Sequence, residues 1–353
     1  MPFAVTNRGV SCYLNSPSVQ SKFASTKLAS AMRGVSALAA LSALLLIAFQ
    51  PAHAQTETPA VTHNTWTSGA AMPTAVVAPQ VALLGTEIYV VGGYGVDGTL
   101  ADTQIYSPAT NTWSTGVPLP TATYEGAAAV VKNILYVIGG SPASGPYSTN
   151  AVWAYSPKTK TWTAKAAMPT PRYALGVVVE KNIIYAIGGV GNGSSDLNNV
   201  ESYNPATDTW TEENPLLIVK EGISVGLIGT TIVAADGYNS SVRDTGDNEG
   251  YDAATNTWAS LTSDPEPRSF ACAGAIGSRL YAAGGWIGNG DGPALTTVES
   301  FQLSKQSWKS LASIPQGTIA AGSAVYKGQL YCFGGWPAWL AGSYINSVQI
   351  YQP

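Results

Sequence analysis

Short apolar runs that end in a pair of glycines recur along the chain: YVVGG at Gly92 and Gly93, YVIGG at Gly139 and Gly140, YAIGG at Gly188 and Gly189, YAAGG at Gly284 and Gly285, and YCFGG at Gly334 and Gly335. VAADG, with Asp236 ahead of Gly237, fills the gap in the series and makes six. An aromatic residue follows each pair, and in five cases a tryptophan stands seven residues further on: Tyr106 and Trp113, Tyr155 and Trp162, Tyr203 and Trp210, Tyr251 and Trp258, Phe301 and Trp308. The sixth aromatic, Tyr351, has no tryptophan behind it. The missing one is Trp66, in an NTW triplet repeated at residues 111–113 and 256–258. Each tryptophan lies 26 residues before the next diglycine position in all six repeats, so Trp66 belongs to the series.

Within a repeat the pattern predicts four short strands. In the third, residues 174–179, 183–187, 200–203 and 209–211 are β-rich runs punctuated by turns. SPATNTW at 107–113 and NPATDTW at 204–210 place Pro, Asn, Asp and Thr where a tight hairpin needs them, and VKN at 131–133 and EKN at 180–182 make equally short first hairpins. The diglycines mark positions where blades crowd together or φ is positive. Because the chain begins with the strand that its last repeat lacks, it closes on itself and leaves no exposed sheet edge. The expectation is an all-β, six-bladed β-propeller of four-stranded antiparallel blades over residues 63–353, its ring closed by the N-terminal strand joining the last blade.

Diglycine, spaced tyrosine and tryptophan at a period of ~50 residues resemble the kelch repeat, and the resemblance covers residues 64–351. It implies blades arranged around a central channel, with the repeated tyrosines and tryptophans serving structure.

The N-terminus adds a compartment. Residues 35–49, VSALAALSALLLIAF, form an apolar run preceded by Lys27 and Arg33 and followed by Ala52-His53-Ala54. The run is shorter than the ~20 residues that a membrane-spanning helix needs. It reads as a signal peptide within residues 1–54, with cleavage after Ala54, a start at Met32 and a short linker at 55–62. Cleavage removes four of the 17 basic residues (Arg8, Lys22, Lys27, Arg33) and none of the 21 acidic ones, leaving 13 and a formal charge of −8. Nucleic acid and anionic membrane surfaces are therefore poor partners, and no nucleic acid is expected. A secreted or periplasmic monomer without a membrane span is expected. Of the three cysteines, Cys12 leaves with the presequence, whereas Cys272 and Cys332 sit in apolar runs at different register positions of neighbouring repeats and read as small buried hydrophobes.

Candidate chemistry concentrates on one face. The two short hairpins of a blade share one side of the ring. The loop after the diglycine and the connection leading into the next blade share the other. Only there does loop length vary: the diglycine-to-aromatic distance runs 13, 15, 14, 14, 16 and 16. Variable loops on a rigid ring are where binding is usually built. Directly after the diglycine positions stand Tyr94, Ser141, Val190, Tyr238, Trp286 and Trp336, with Trp339 nearby. Flat aromatic faces suit sugars or apolar peptide groups. The segments leading into the innermost strands add Tyr124 and Glu125, Arg172 and Tyr173, Lys220 and Glu221, and Arg268. The ligand-binding candidates are thus Tyr94, Tyr124, Glu125, Tyr173, Tyr238, Trp286 and Trp336.

Two functions fit. The first is a recognition scaffold that holds a glycan or a partner protein on this face. The alternative is a carbohydrate-active isomerase, similar to the kelch-type sialic acid epimerases and mutarotases, in which Glu221 would move a proton with Lys220, Arg172 and Arg268 beside it. A lysine stands where that family would have an arginine. Kelch-type copper oxidases resemble this chain in fold only, because His53 leaves with the signal and His63 lies in the N-terminal tail. The acidic loop at 244–250, DTGDNEG, lacks the ligand spacing of a recognised calcium loop. No cofactor and no metal are expected.

Overall fold

The computed structural model describes residues 63–353 except 145–146, 194, 289–292 and 339–342, so the presequence, the linker and Trp339 lie outside the described residues. Among the described residues there are six four-stranded sheets. Blade 1 comprises Gln80–Leu84, Glu87–Val91, Thr103–Ser107 and Thr112–Thr115; blade 2 comprises Ala127–Val131, Ile134–Ile138, Val152–Ser156 and Thr161–Ala164. Blade 3 holds Gly176–Glu180, Ile183–Ile187, Val200–Asn204 and Thr209–Glu213, and blade 4 holds Ser224–Ile228, Thr231–Ala235, Asn248–Asp252 and Thr257–Leu261. Blade 5 is built from Cys272–Ile276, Arg279–Ala283, Val298–Gln302 and Ser307–Ser310. Blade 6 takes Gly322–Tyr326, Gln329–Phe333 and Val348–Gln352 from the end of the chain and Thr65–Ser68 from its beginning. The ring closes by antiparallel pairing of Trp66 with Tyr351 and Thr65 with Gln352.

The core is distributed over the faces between blades. At the junction of blades 2 and 3, Tyr136, Ile138 and Val152 pack against Ile184, Ala186 and Tyr203. The next junction repeats this with Tyr185, Ile187 and Val200 against Ile232, Ala234 and Tyr251. The seam between the chain ends is built alike, with Ile88, Val90 and Tyr106 of blade 1 against Tyr331, Phe333 and Val348 of blade 6. Both faces of each middle strand are therefore covered, which is why these strands read as continuous apolar runs.

The repeated aromatics brace the outer strands. Each tryptophan lies directly opposite its tyrosine or phenylalanine across the outer two strands, as Tyr106 opposite Trp113 and Tyr251 opposite Trp258. Their ring centroids are 5.0 Å and 4.8 Å apart. Every one of these indoles also donates to a backbone carbonyl of the preceding blade's outgoing segment: Trp113 to Ala70, Trp162 to Val117, Trp210 to Ala166, Trp258 to Asn214, Trp308 to Thr262 and Trp66 to Ala312. The asparagine of the NTW triplet completes the joint. Asn111, at φ 54°, accepts from the Tyr106 hydroxyl at 2.7 Å and from the Ala70 N–H at 2.6 Å.

The diglycine makes the inner joint. The second glycine of each pair donates its N–H to the residue that leads into the next blade: Gly93 to Thr123, Gly140 to Arg172, Gly189 to Lys220, Gly237 to Arg268, Gly285 to Thr318, and Gly335 round the seam to Val76. The first glycine needs its missing side chain. At Gly188, φ is +60° and a Cβ would stand 2.5 Å from the Lys220 carbonyl oxygen.

Two expectations are corrected. Cys272 and Cys332 are not separate hydrophobes; they form a disulfide with a Cα–Cα distance of 5.8 Å. Cys272 opens the innermost strand of blade 5 and Cys332 lies in the second strand of blade 6, so sheets stacked face to face bring together residues at different positions of their repeats. The innermost strand of blade 3 also begins at Gly176 rather than 174, because Ala174 takes a left-handed conformation at φ 53°. Among the described residues no helix is long and apolar enough to cross a membrane.

Candidate functional site

The left-handed residue recurs in every blade, two positions before the innermost strand begins: Ala78, Glu125, Ala174, Gly222, Phe270 and Ala320, with φ of 50°, 54°, 53°, 60°, 55° and 53°. Each donates its N–H to the carbonyl of its counterpart in the neighbouring blade, from Glu125 to Ala78, Ala174 to Glu125, Gly222 to Ala174, Phe270 to Gly222, Ala320 to Phe270 and Ala78 to Ala320, at 2.7 to 2.9 Å. This is a closed circle of six backbone hydrogen bonds around the channel. Four of the six residues are Ala or Gly; the large side chains in this throat are Glu125 of blade 2 and Phe270 of blade 5. Both line the channel, a cavity of about 310 Å³ walled by Ala, Gly and Val, and both also line a second cavity of about 360 Å³ on the variable-loop face.

Above the throat, the residue before the left-handed one pairs with the residue after the diglycine of the same blade. The pairs are Val77 with Tyr94, Tyr124 with Ser141, Tyr173 with Val190, Glu221 with Tyr238, Ser269 with Trp286 and Ile319 with Trp336. Each pair contributes one aromatic, from one side or the other. Tyr94, Tyr124, Tyr173, Tyr238, Trp286 and Trp336 thus encircle the mouth, one per blade, and these are the six aromatics selected from sequence. Tyr124, Tyr173, Tyr238 and Trp286 wall the outer cavity together with Glu125, Ser141, Tyr147, Glu221 and Phe270. Tyr94 meets Tyr124 edge to face at 5.4 Å and packs tilted against Tyr344 at 6.0 Å, and Tyr344 lies 6.3 Å from Trp336. Tyr344 therefore fills the side of blades 1 and 6. Phe270, Tyr147 and Tyr344 are additions that the sequence reading missed, since none falls at a repeated aromatic position.

The site is acidic. No Lys, Arg or His lines the outer cavity among the described residues. Enclosure by protein pushes the Glu125 carboxyl up to about 7. Burial, then repulsion from Glu125 and Asp196, pushes Glu221 up to about 8. The hydroxyl of Tyr173 is held well above the usual phenol range by burial and by Glu221 and Glu125.

The three bases expected on the rim are elsewhere. Arg172, Lys220 and Arg268 are fully buried. Arg172 donates to Glu201 at 2.9 Å and to the carbonyl of Asn199 at 2.8 Å. Lys220 pairs with Glu249 at 3.1 Å and donates to the carbonyls of Ala234 and Asp247. Arg268 pairs with Glu266 at 3.0 Å and donates to the carbonyls of Gly284 and Thr297. The reason is strand alternation in the lead-in segment: residues 173 and 221 face the mouth, so the residue before each faces into the blade. A proton shuttle using these bases beside Glu221 is not assembled.

Blade 4's divergence is internal too. Asp236, at φ 63°, is buried near Lys220 and Arg268, and its carboxyl is raised well above the ordinary aspartate range by burial and by Asp264. In the acidic loop, Asp244 accepts from the Ser269 hydroxyl at 2.7 Å and from the Gly288 N–H, bracing blades 4 and 5.

Six in-register kelch motifs folded into one closed ring, with an aromatic mouth on the variable face, define a kelch-type β-propeller. The Attractin/LZTR1 β-propeller family model matches residues 88–345, and the chain belongs to that family. The solved structure described as "Structure of YjhT" superposes with a TM-score of 0.69 at 18% identity, over 80% of this chain and 96% of that one, which is a likeness of fold. No curated protein sequence matches the chain.

Proposed function

We propose that the chain is an exported recognition module that holds a glycan in the aromatic mouth of its variable-loop face. The observation that carries this reading is a cavity of about 360 Å³ walled by four of the six mouth aromatics, Tyr124, Tyr173, Tyr238 and Trp286, a size that suits one or two sugar rings. Aromatic faces stack on the apolar faces of sugars, and the tyrosine hydroxyls and carboxyls supply hydrogen bonds to ring hydroxyls. The large exposed apolar residues of the described chain also gather on this face, at loop tips such as Val96 (85% exposed), Val242 (64%) and Tyr147 (62%). The Cys272–Cys332 disulfide supports export, since such bonds persist in oxidising compartments.

A glycan array tests the reading. Binding is expected in the unaltered protein and is expected to be lost in Trp286→Ala and Tyr238→Ala, whose side chains wall the cavity. Binding that survives both substitutions would place the ligand elsewhere, and capture of a protein alone would favour the partner-protein alternative.

A second reading is favoured by one observation: Glu125 and Glu221 titrate near neutrality in the same cavity, as an acid–base pair for sugar isomerisation needs. Anomer exchange followed by NMR, with Glu221→Gln as the control, distinguishes an enzyme from a binder. The absence of basic side chains from the described lining counts against an anionic sugar as its substrate.

A further inference from the structure

Resting on the glycan reading, we infer that the sugar bound at this mouth carries a protonated amine, so that the ligand class is an amino sugar with a free ammonium group. Glu125 projects from the throat circle and lines both the channel and the outer cavity, while Glu221 lines the outer cavity from blade 4. Among the described residues neither carboxyl has a side-chain hydrogen bond or an ion pair. Two buried acids elsewhere in this ring, Glu201 and Glu249, each have a cation within 3.1 Å. Two acids enclosed in one cavity without a counter-ion are a cost that folding alone does not require. Sequence could have placed a base here, since the positions immediately before the lead-in pairs already hold Arg172, Lys220 and Arg268, yet all three are turned into the blades.

The walls match the same ligand. Tyr124, Tyr173, Tyr238 and Trp286 wall the same cavity as the carboxyls, and a cation over an aromatic face is attracted by the ring quadrupole. An ammonium group arriving between Glu125 and Glu221 supplies the missing counter-charge. Any proton held by either carboxyl is released to solvent as the cation binds. A carboxylate-bearing sugar would meet only like charge, and an N-acetylated one would offer no charge at all.

Calorimetric titration of the full chain with a glucosamine tetramer and with its N-acetylated counterpart decides the matter. The glucosamine tetramer is expected to bind at least about tenfold more tightly, and Glu125→Gln and Glu221→Gln are each expected to lower its affinity about tenfold, as loss of a charge-assisted contact does. Equal or tighter binding of the N-acetylated tetramer, or affinities unchanged in both variants, would overturn the inference and leave glycan recognition standing. If no oligosaccharide binds in the titration or on an array, the glycan reading falls as well. Should either variant fail to fold, the unaltered protein still decides: the affinity for the glucosamine tetramer falls as salt is raised if the contact is ionic and stays level if it is not.

Discussion

Glu221 shows how one residue's surroundings set its chemistry. Its backbone pairs with Tyr238, its carboxyl lines the mouth, and burial with repulsion from Glu125 and Asp196 lifts it from 4.5 to about 8. The sign follows from proton counting. Below pH 4.5 the carboxyl is protonated whether the chain is folded or not; between 4.5 and about 8 the unfolded chain releases the proton that the folded chain keeps. Stability is therefore lost as pH rises through this window. Glu221→Gln has no such proton to hold, so its melting temperature is expected to rise relative to the unaltered protein from pH 5 to pH 8. Thermal melts across that range check it, and parallel curves would mean that the carboxyl is ordinary. The asparagines of the NTW triplets were legible as turn residues because Asn tolerates a left-handed backbone. Their second task, clamping a tyrosine hydroxyl and a neighbouring blade's N–H, was not legible, since that N–H comes from the preceding repeat.

At the scale of the element, the third strands of blades 3 and 4 explain where the scarce charge went. Glu201 and Glu249 occupy equivalent strand positions and hold Arg172 and Lys220 inside their blades. Removing one partner of such a pair leaves the other charge buried and alone. Glu201→Ala is expected to cost about 3–5 kcal/mol, whereas the double substitution Arg172→Met with Glu201→Leu recovers most of that loss. Urea denaturation of the three proteins measures this, and a small cost for Glu201→Ala would return Arg172 to consideration as a solvated, functional base. The repeat spacing located these side chains in the lead-in segments correctly. It could not say which way they point, because the lead-in segments end in a left-handed residue, at positions occupied by Ala, Glu, Ala, Gly, Phe and Ala, types that, glycine aside, do not announce positive φ.

The whole molecule is a set of three concentric joints: indole to carbonyl at the rim, diglycine to lead-in carbonyl further in, and the backbone circle at the throat. Each runs through all six blades and across the seam, where Asn64 accepts from Tyr351 at 2.7 Å and Trp66 donates to Ala312 at 2.8 Å. The disulfide links blade 5 to blade 6, the blade in which the two ends of the chain pair, and closes a separation of 60 residues. In the chain-entropy account a loop of that length contributes about 4 kcal/mol. Reduction, or Cys272→Ala with Cys332→Ala, is accordingly expected to lower the melting temperature by several degrees without changing the β-sheet circular dichroism. An unchanged melting temperature would show that the covalent link adds nothing to the stability of the ring.

Period, blade number and closure were determined by the sequence alone, because they are distances along a line: six identical spacings and one strand carried to the other end. The aromatics of the mouth were legible for the same reason, each standing beside a repeated landmark. Side-chain direction at the throat, the pairing of Cys272 with Cys332 and the meeting of Glu125 with Glu221 were decided only in three dimensions. Blades stack face to face, so residues far apart in the repeat share one cavity, while strand alternation turns sequence neighbours such as Lys220 and Glu221 opposite ways.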